Sequence, residues 1–253
     1  MKPQDIQKVV LSLSDTQRSS QVMLEGEIPG ATVFHHVLPA GERIDFAGTS
    51  DFLRILFLCQ GAATFLLEGE GYPYDEKAVF VARPQQEVGV TVQQNAHLLE
   101  IRWELHDADR KELETTETSF PITSRYLDAI QYRDPFKSEK TISRAIIPQR
   151  LLPRFAMGSV ETYGDDLIGQ HEHPLLDQFF FSFPENNCDL LLDDIVYPME
   201  GNTLLHIPLG CNHGVSVRGK QCAHYIWIDF IFDEEGLAYL DEVHKSTGTK
   251  RSF

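Results

Sequence analysis

His171 and His173 flank a single residue, and His213 follows 40 residues further on. On an extended chain, residues i and i+2 project from the same face, so the first two imidazoles can reach one point in space. Asp177 and Gln178 come four and five residues after His173, where the run Phe179-Phe180-Phe181 begins. Two near imidazoles, an oxygen donor and a distant third imidazole make a facial N/O set. Such a set suits one divalent transition metal: manganese, iron, nickel or zinc. Thiolate ligation is not expected, because Cys59, Cys188, Cys211 and Cys222 form no CxxC pair. They are too sparse for a disulfide framework and read as reduced thiols of a cytoplasmic protein.

Elements must bring these donors together, and the chain supplies them twice. At an offset of 125 residues, Tyr72-Pro73 recurs as Tyr197-Pro198. Leu66-Leu67-Glu68 recurs as Leu191-Leu192-Asp193, and Val88-Gly89-Val90-Thr91-Val92 as His213-Gly214-Val215-Ser216-Val217; Ile101 matches Ile226 and Glu104 matches Asp229. A shared register over separate segments implies two copies of one unit, near 30–105 and 144–232. Both copies read as short apolar and β-branched runs: 53–58, 63–67, 78–82, 88–92 and 97–105 in the first; 155–163, 178–183, 189–192, 203–207, 215–217 and 223–232 in the second. Gly61, 68–72, Pro84 and 93–95 punctuate the first set. Strands so closely spaced predict a sandwich or small barrel. Helix is expected only at 107–115, 124–132 and 234–245. The charged, Pro-bearing stretch 107–140 marks the domain boundary.

The segment Gly169-Gln170-His171-Glu172-His173-Pro174-Leu175-Leu176-Asp177-Gln178 resembles the first motif of the cupin superfamily, in which Gly and His-x-His precede a glutamate and a strand. Gly201 to His213, with Pro208-x-Gly210-x-x-His213, resembles its second motif, with a spacer one residue longer. Through the repeat the whole chain is similar to bicupins. The resemblance implies an all-β fold of two tandem cupin barrels (double-stranded β-helix or jelly-roll), with short helices at the linker and C-terminus. Residues 1–115 would form a degenerate barrel without metal ligands, and 116–253 the linker and a metal-binding barrel. His171, His173 and His213 would hold one divalent ion there. The motif glutamate is absent: a four-residue spacer puts Gln178 in its place, a three-residue spacer Asp177. These two face opposite sides of a strand, and the alignment favours Gln178. At the same offset the first copy has Phe46, Gly48, Phe52, Leu53 and Val88, none of them a ligand.

Other side chains are candidates for the rest of a site. Glu161, Tyr225 and His224 are candidate acid–base groups, and Arg154, Tyr163 and Phe179 candidate substrate contacts. Each has a plainer reading: Arg144, Arg150 and Arg154 as salt-bridging residues, Phe179 as core, and His206 as a hydrogen-bonded histidine. His35-His36 point to opposite faces of an extended chain, which disfavours a shared ion.

The 38 acidic and 22 basic residues leave a formal charge of −16 in 253 residues, which disfavours nucleic acid and anionic membranes as partners. No apolar run is long enough to span a bilayer, and charges near 9–11 disfavour a signal peptide. The expected function is a metal-dependent cupin enzyme acting on a small polar metabolite bearing a carboxylate or carbonyl. Its chemistry would be Lewis-acid-assisted proton transfer: isomerase, lyase or hydrolase. The resemblance also admits an Fe(II)-type dioxygenase, and a non-catalytic small-molecule binder or sensor is the alternative of another class. A homodimer is expected from open sheet edges.

Overall fold

In the computed structural model residues 6–247 are described; the first five residues of the N-terminal stretch and the last six of the C-terminal domain lie outside them. Two compact units emerge. One is Ser12–Tyr126; the other runs from Leu127 onward and includes the segment that ends at Leu11. In chain order the elements begin with β1 (Lys8–Val10), β2 (Ser19–Met23), β3 (Ala31–Leu38), β4 (Arg43–Phe46) and β5 (Phe52–Leu67). Next come β6 (Glu70–Tyr74), β7 (Ala78–Val81), β8 (Val88–Glu104), α1 (Asp107–Thr115) and β9 (Ile122–Arg125). The second unit adds β10 (Ile130–Arg133), β11 (Ile142–Leu152), β12 (Phe155–Tyr163), β13 (Asp166–His171), β14 (Leu176–Ser182) and β15 (Asn187–Leu192). It closes with β16 (Ile195–Glu200), β17 (Thr203–Ile207), β18 (His213–Val217), β19 (Cys222–Ile231), α2 (Glu234–Val243) and β20 (Lys245–Ser246).

The first unit is one antiparallel sheet in the order β2-β3-β8-β5-β7-β9, with β4 added to β8 and β6 to β5. Its two long strands differ from the shorter runs expected from punctuation. Gly61 and 93–95 do not end strands; they form bulges in a β5·β8 ladder that runs from Phe52↔Glu104 to Leu66↔Gly89. Gly61 has φ +96°, and a Cβ there would lie 2.2 Å from the carbonyl oxygen of Asn95. The bulge therefore needs glycine, and it bends one long strand round the core instead of stopping it. Leu56, Leu58, Phe65, Val90, Val92 and Leu98 line the interior.

The second unit pairs an eight-stranded sheet, β1-β17-β14-β19-β12-β11-β10-β20, with a four-stranded sheet, β13-β18-β15-β16. Val160, Phe180, Tyr225 and Trp227 from one meet Ile168, Leu190 and Val215 from the other. All seven residues of β14 and all ten of β19 are buried. A strand flanked on both edges and covered on both faces reads as a continuous apolar run, which explains the three phenylalanines. The fold is all-β, of jelly-roll type in each unit. The 125-residue offset survives as strand equivalence: β4 ends at Phe46 and β13 at His171, β7 starts at Ala78 and β17 at Thr203, β8 starts at Val88 and β18 at His213.

The expected helix at 107–115 is α1, and α2 occupies 234–243 with Asp233 accepting from the Glu235 N–H at its N-cap. The stretch 124–132 is not a helix. It contains the end of β9, one 3₁₀ turn at Tyr126–Asp128 and the start of β10, which pairs with β11 from Ile130↔Ala145 to Tyr132↔Ser143. Sheet pairing there overrides a weak local pattern. No described helix is long and apolar enough to cross a membrane.

Candidate metal centre

The pairing of β13 with β18 sets His171 directly opposite His213, after a bulge that follows Ile168. His173 stands two residues past the end of β13, in the turn before β14. The three rings meet with centroids 4.8, 4.8 and 5.1 Å apart, and one ligand nitrogen from each lies within 4.8 Å of the others. His171 Nδ1–H donates to the Gly169 carbonyl at 2.8 Å and His213 Nδ1–H to the Cys211 carbonyl at 3.1 Å. These bonds fix the tautomer and leave Nε2 as a free lone pair. Nδ1 of His173 is buried with no hydrogen-bond partner. Burial lowers all three basicities; His173 is lowered well below its ordinary value, with its neighbouring imidazoles adding to the effect, and His213 falls to about 3. Neutral imidazoles converging with spare lone pairs are the donor set that a divalent transition metal takes.

Gln178 lines the same cavity. Its Nε2 donates to Asp229 Oδ1 at 2.7 Å, while its Oε1 is buried and unpartnered. Asp177 points away: its Oδ1 accepts from His206 Nε2 at 2.8 Å and from the Gln178 N–H. Strand parity thus places the amide, not the carboxylate, beside the histidines. Parity also decides among the phenylalanines. Phe180 enters the cavity, edge-on to His213 and stacked on Tyr225 with centroids 4.7 Å apart; Phe179 packs against His206 and Phe230 on the other face.

Of the acid–base candidates, Tyr225 lines the cavity, and burial pushes its phenol well above the ordinary value. Glu161 instead accepts from Arg144 Nη1 at 2.9 Å and from the Tyr163 hydroxyl at 3.2 Å. Nδ1 of His224 pairs with Glu185. Tyr163 is 57% exposed. Arg154 gives its carbonyl to the Ile231 N–H and does not border the cavity. His206 is the hydrogen-bonded histidine of its plainer reading.

Several site residues were not singled out by type and spacing. Asp229 is fully buried beside Gln178, and burial, offset by the Gln178 hydrogen bond, pushes its carboxyl up to about 7. Its one sequence signal was the repeat match with Glu104. Asp134 and Lys137 enter the cavity from the segment after β10, and His244 from the end of α2. Phe136 stacks on His171 with centroids 4.3 Å apart and planes 5° from parallel. The cavity at their centre measures about 20 Å³, room for about one water-sized occupant.

Among the described residues of the first unit no comparable group of ligand side chains gathers. That unit holds a buried charge cluster instead. Glu100 Oε1 accepts from Arg54 Nε and Arg102 Nε, both at 2.7 Å, and Oε2 from His36 Nε2 at 3.0 Å.

Neither a protein-family sequence profile nor a curated protein matches this chain. Solved structures do. A glyoxylate-induced protein from Pseudomonas aeruginosa superposes with a TM-score of 0.70 at 13% identity over 84% of this chain and 80% of its own. A cupin 2 conserved barrel domain protein from Leptotrichia buccalis gives 0.59 at 12% over 91% and 99%. The formate complex of oxalate decarboxylase from Lactobacillus farciminis gives 0.67 at 11% over 92% and 88%. The oxalate decarboxylase of Bacillus subtilis, studied for its Mn(II) centres, gives 0.64 at 13% over 90% and 77%. At such identities the likeness is one of fold.

Proposed function

We propose, for this chain of two-barrel cupin fold, that the second barrel is a metal-dependent active site for a small polar metabolite bearing a carboxylate or carbonyl. The reaction is proton transfer assisted by a Lewis acid, of isomerase, lyase or hydrolase type. The observation that carries the proposal is the convergence of three neutral imidazoles, two of them held by backbone carbonyls. His171, His173 and His213 would hold the ion, with Gln178 Oε1 as the oxygen donor. When bound, a divalent ion polarises a carbonyl and stabilises the negative charge that develops on proton loss. The chain supplies the rest. Asp229, held near neutrality in its basicity, keeps a proton that it can give or take at its carboxyl, and Gln178 orients it. The phenol of Tyr225 is the second proton-bearing group facing the cavity, while Phe180 and Trp227 exclude water. Mn(II) centres and bound formate in structural neighbours support a divalent ion and a small carboxylate.

An amide where the motif has a carboxylate leaves the site more positive by one charge. That favours non-redox chemistry over the stabilisation of oxidised iron. Metal analysis of the purified protein, an oxygen-uptake assay and a metabolite turnover screen with His171→Ala as control test the proposal. Stoichiometric metal and turnover abolished in the variant are expected; turnover indifferent to His171 overturns it.

The same proposal includes a homodimer in the cytoplasm. Edge strand β16 exposes Ile195 and Val196 beside an unpaired backbone edge, and all four cysteines are free.

A further inference from the structure

Lys137 is a buried ammonium in the metal cavity, its side chain 7% exposed. Nζ donates to the Tyr132 hydroxyl at 3.1 Å and to Asp134 Oδ2 at 3.1 Å. Its third N–H has no partner among the described residues. The Tyr132 oxygen is also occupied by the indole N–H of Trp227 at 3.1 Å. Burying an ammonium costs several kcal/mol unless charge and hydrogen bonds compensate it. Here the compensating charge is one carboxylate, Asp134, anchored in place by the Phe136 N–H at 2.8 Å, and the Tyr132 ring adds a cation–π contact with its centroid 4.9 Å from Nζ.

The charge balance of the cavity gives this ammonium a task. Three neutral imidazoles and a neutral amide leave a divalent ion's two charges uncancelled. Lys137 adds one and Asp134 removes one, and either protonation state of Asp229 leaves the site net positive. Two cationic centres in one enclosed space repel each other unless an anion joins them.

Space adds a second constraint. The inner cavity of about 20 Å³ is filled by about one water-sized occupant. Tyr132, Asp134 and Lys137 also border an outer pocket of about 660 Å³, ringed by Ser138, Thr141 and Lys245 among others. An occupant can present only a small head group inward while its body lies outside.

We infer that Lys137 is the anion-recognising residue of this site, and that the substrate class is a small carboxylic acid whose carboxylate meets the Lys137 ammonium while its remainder occupies the outer pocket. The inference rests on the metal-site reading of the second barrel and assigns its substrate class. In this arrangement Asp134 competes with the ligand for the ammonium, so the two residues have opposite effects on affinity.

The test uses the full chain loaded with Co(II), whose visible spectrum reports the metal site independently of any turnover, and acetate as the probe. Lys137→Met is expected to keep the Co(II) spectrum and to bind acetate at least tenfold more weakly. Lys137→Arg, which retains the charge, is expected to stay within about threefold of the parent. Asp134→Asn keeps the oxygen that Phe136 N–H needs and removes the competing charge; acetate is expected to bind at least threefold more tightly. Unchanged acetate affinity in Lys137→Met overturns the inference while leaving the metal site standing, as does a weakened affinity in an Asp134→Asn protein whose Co(II) spectrum matches the parent's. If Lys137→Met does not fold, Asp134→Asn decides alone, since structural damage would weaken binding and not strengthen it. A parent protein that binds no Co(II) overturns the metal-site reading itself, and this inference with it.

Discussion

Replacing Glu100 by glutamine isolates the buried charge cluster of the first barrel. The Glu100 carboxylate is wholly buried and takes hydrogen bonds from Arg54, Arg102 and His36. Burial alone would raise its pKa, but bonds from His36, Arg102 and Arg54 outweigh that and hold it at about 2, against an ordinary 4.5. That difference corresponds to about 3 kcal/mol of stability at neutral pH. The group's folded pKa is depressed, so this stability is present above pH 4.5 and is lost as pH falls toward 2. Glutamine adds a donor where three donors already converge and leaves Arg54, only 11% exposed, without its counter-charge. Breaking such a buried pair costs about 3–5 kcal/mol. The two tryptophans fall one in each unit, Trp103 and Trp227, so a Trp227→Phe background reports the first barrel alone. Urea unfolding followed by Trp103 fluorescence should show Glu100→Gln about 3 kcal/mol less stable at pH 7. The gap should narrow by about 2 kcal/mol at pH 3. A deficit under about 1 kcal/mol at pH 7, or one that does not shrink in acid, would mean that the Glu100 carboxylate does not stabilise the first barrel.

Further outcomes follow from the second barrel. Asp177→Asn should leave metal affinity within about twofold, while Gln178→Leu should weaken it about tenfold, read by competition with a chelating dye; the reverse order would mean that the carboxylate is the ligand. With metal removed, the second barrel should lose stability as pH drops below about 6.5, because His171, His173, His213 and His244 are kept neutral by burial and the unfolded chain takes up their protons. Asp229 acts in the opposite sense, its folded form keeping a proton up to about 7, but one carboxyl opposes four imidazoles. Thermal melts in chelator from pH 7.5 to 4.5 check this, and a profile that is flat or rises toward acid contradicts it. Gly158→Ala would place a Cβ 2.1 Å from Trp227 Cζ2 and 2.4 Å from the Arg144 carbonyl. A loss of about 3 kcal/mol or more, or insoluble protein, is expected, and a melting temperature within about 2 °C of the parent would count against the packing described.

Type and spacing carried the fold, and they singled out three histidines whose ligand atoms lie within 4.8 Å of one another. A two-residue histidine spacing and a glycine–proline–glycine–histidine segment are local features, and the 125-residue offset predicted which strands correspond. What escaped was non-local. Lys137, Asp134 and Phe136 lie in a charged stretch that reads as linker, and only its docking on the barrel brings them to His171. His244 ends an ordinary amphipathic helix. One-residue parity separated Phe180 from Phe179 and Gln178 from Asp177, and parity depends on where a bulge or turn resets the strand. Glu161 and His224 are directly paired across β12 and β19, yet both engage partners away from the cavity. Sharing a strand with pocket residues does not make a side chain face the pocket.

The cross-strand placement of His171 and His213 has a consequence for the life of the molecule. These two side chains lie 42 residues apart in the chain and meet only in the folded sheet, so an ion seated between them would bind the folded state alone and add its binding free energy to that state. The resistance of the C-terminal half to proteolysis would then track the free metal concentration, by mass action. The N-terminal half, fastened by arginines around a glutamate, would ignore it. One polypeptide would thus carry a half whose survival reports metal supply beside a half that serves as its internal reference.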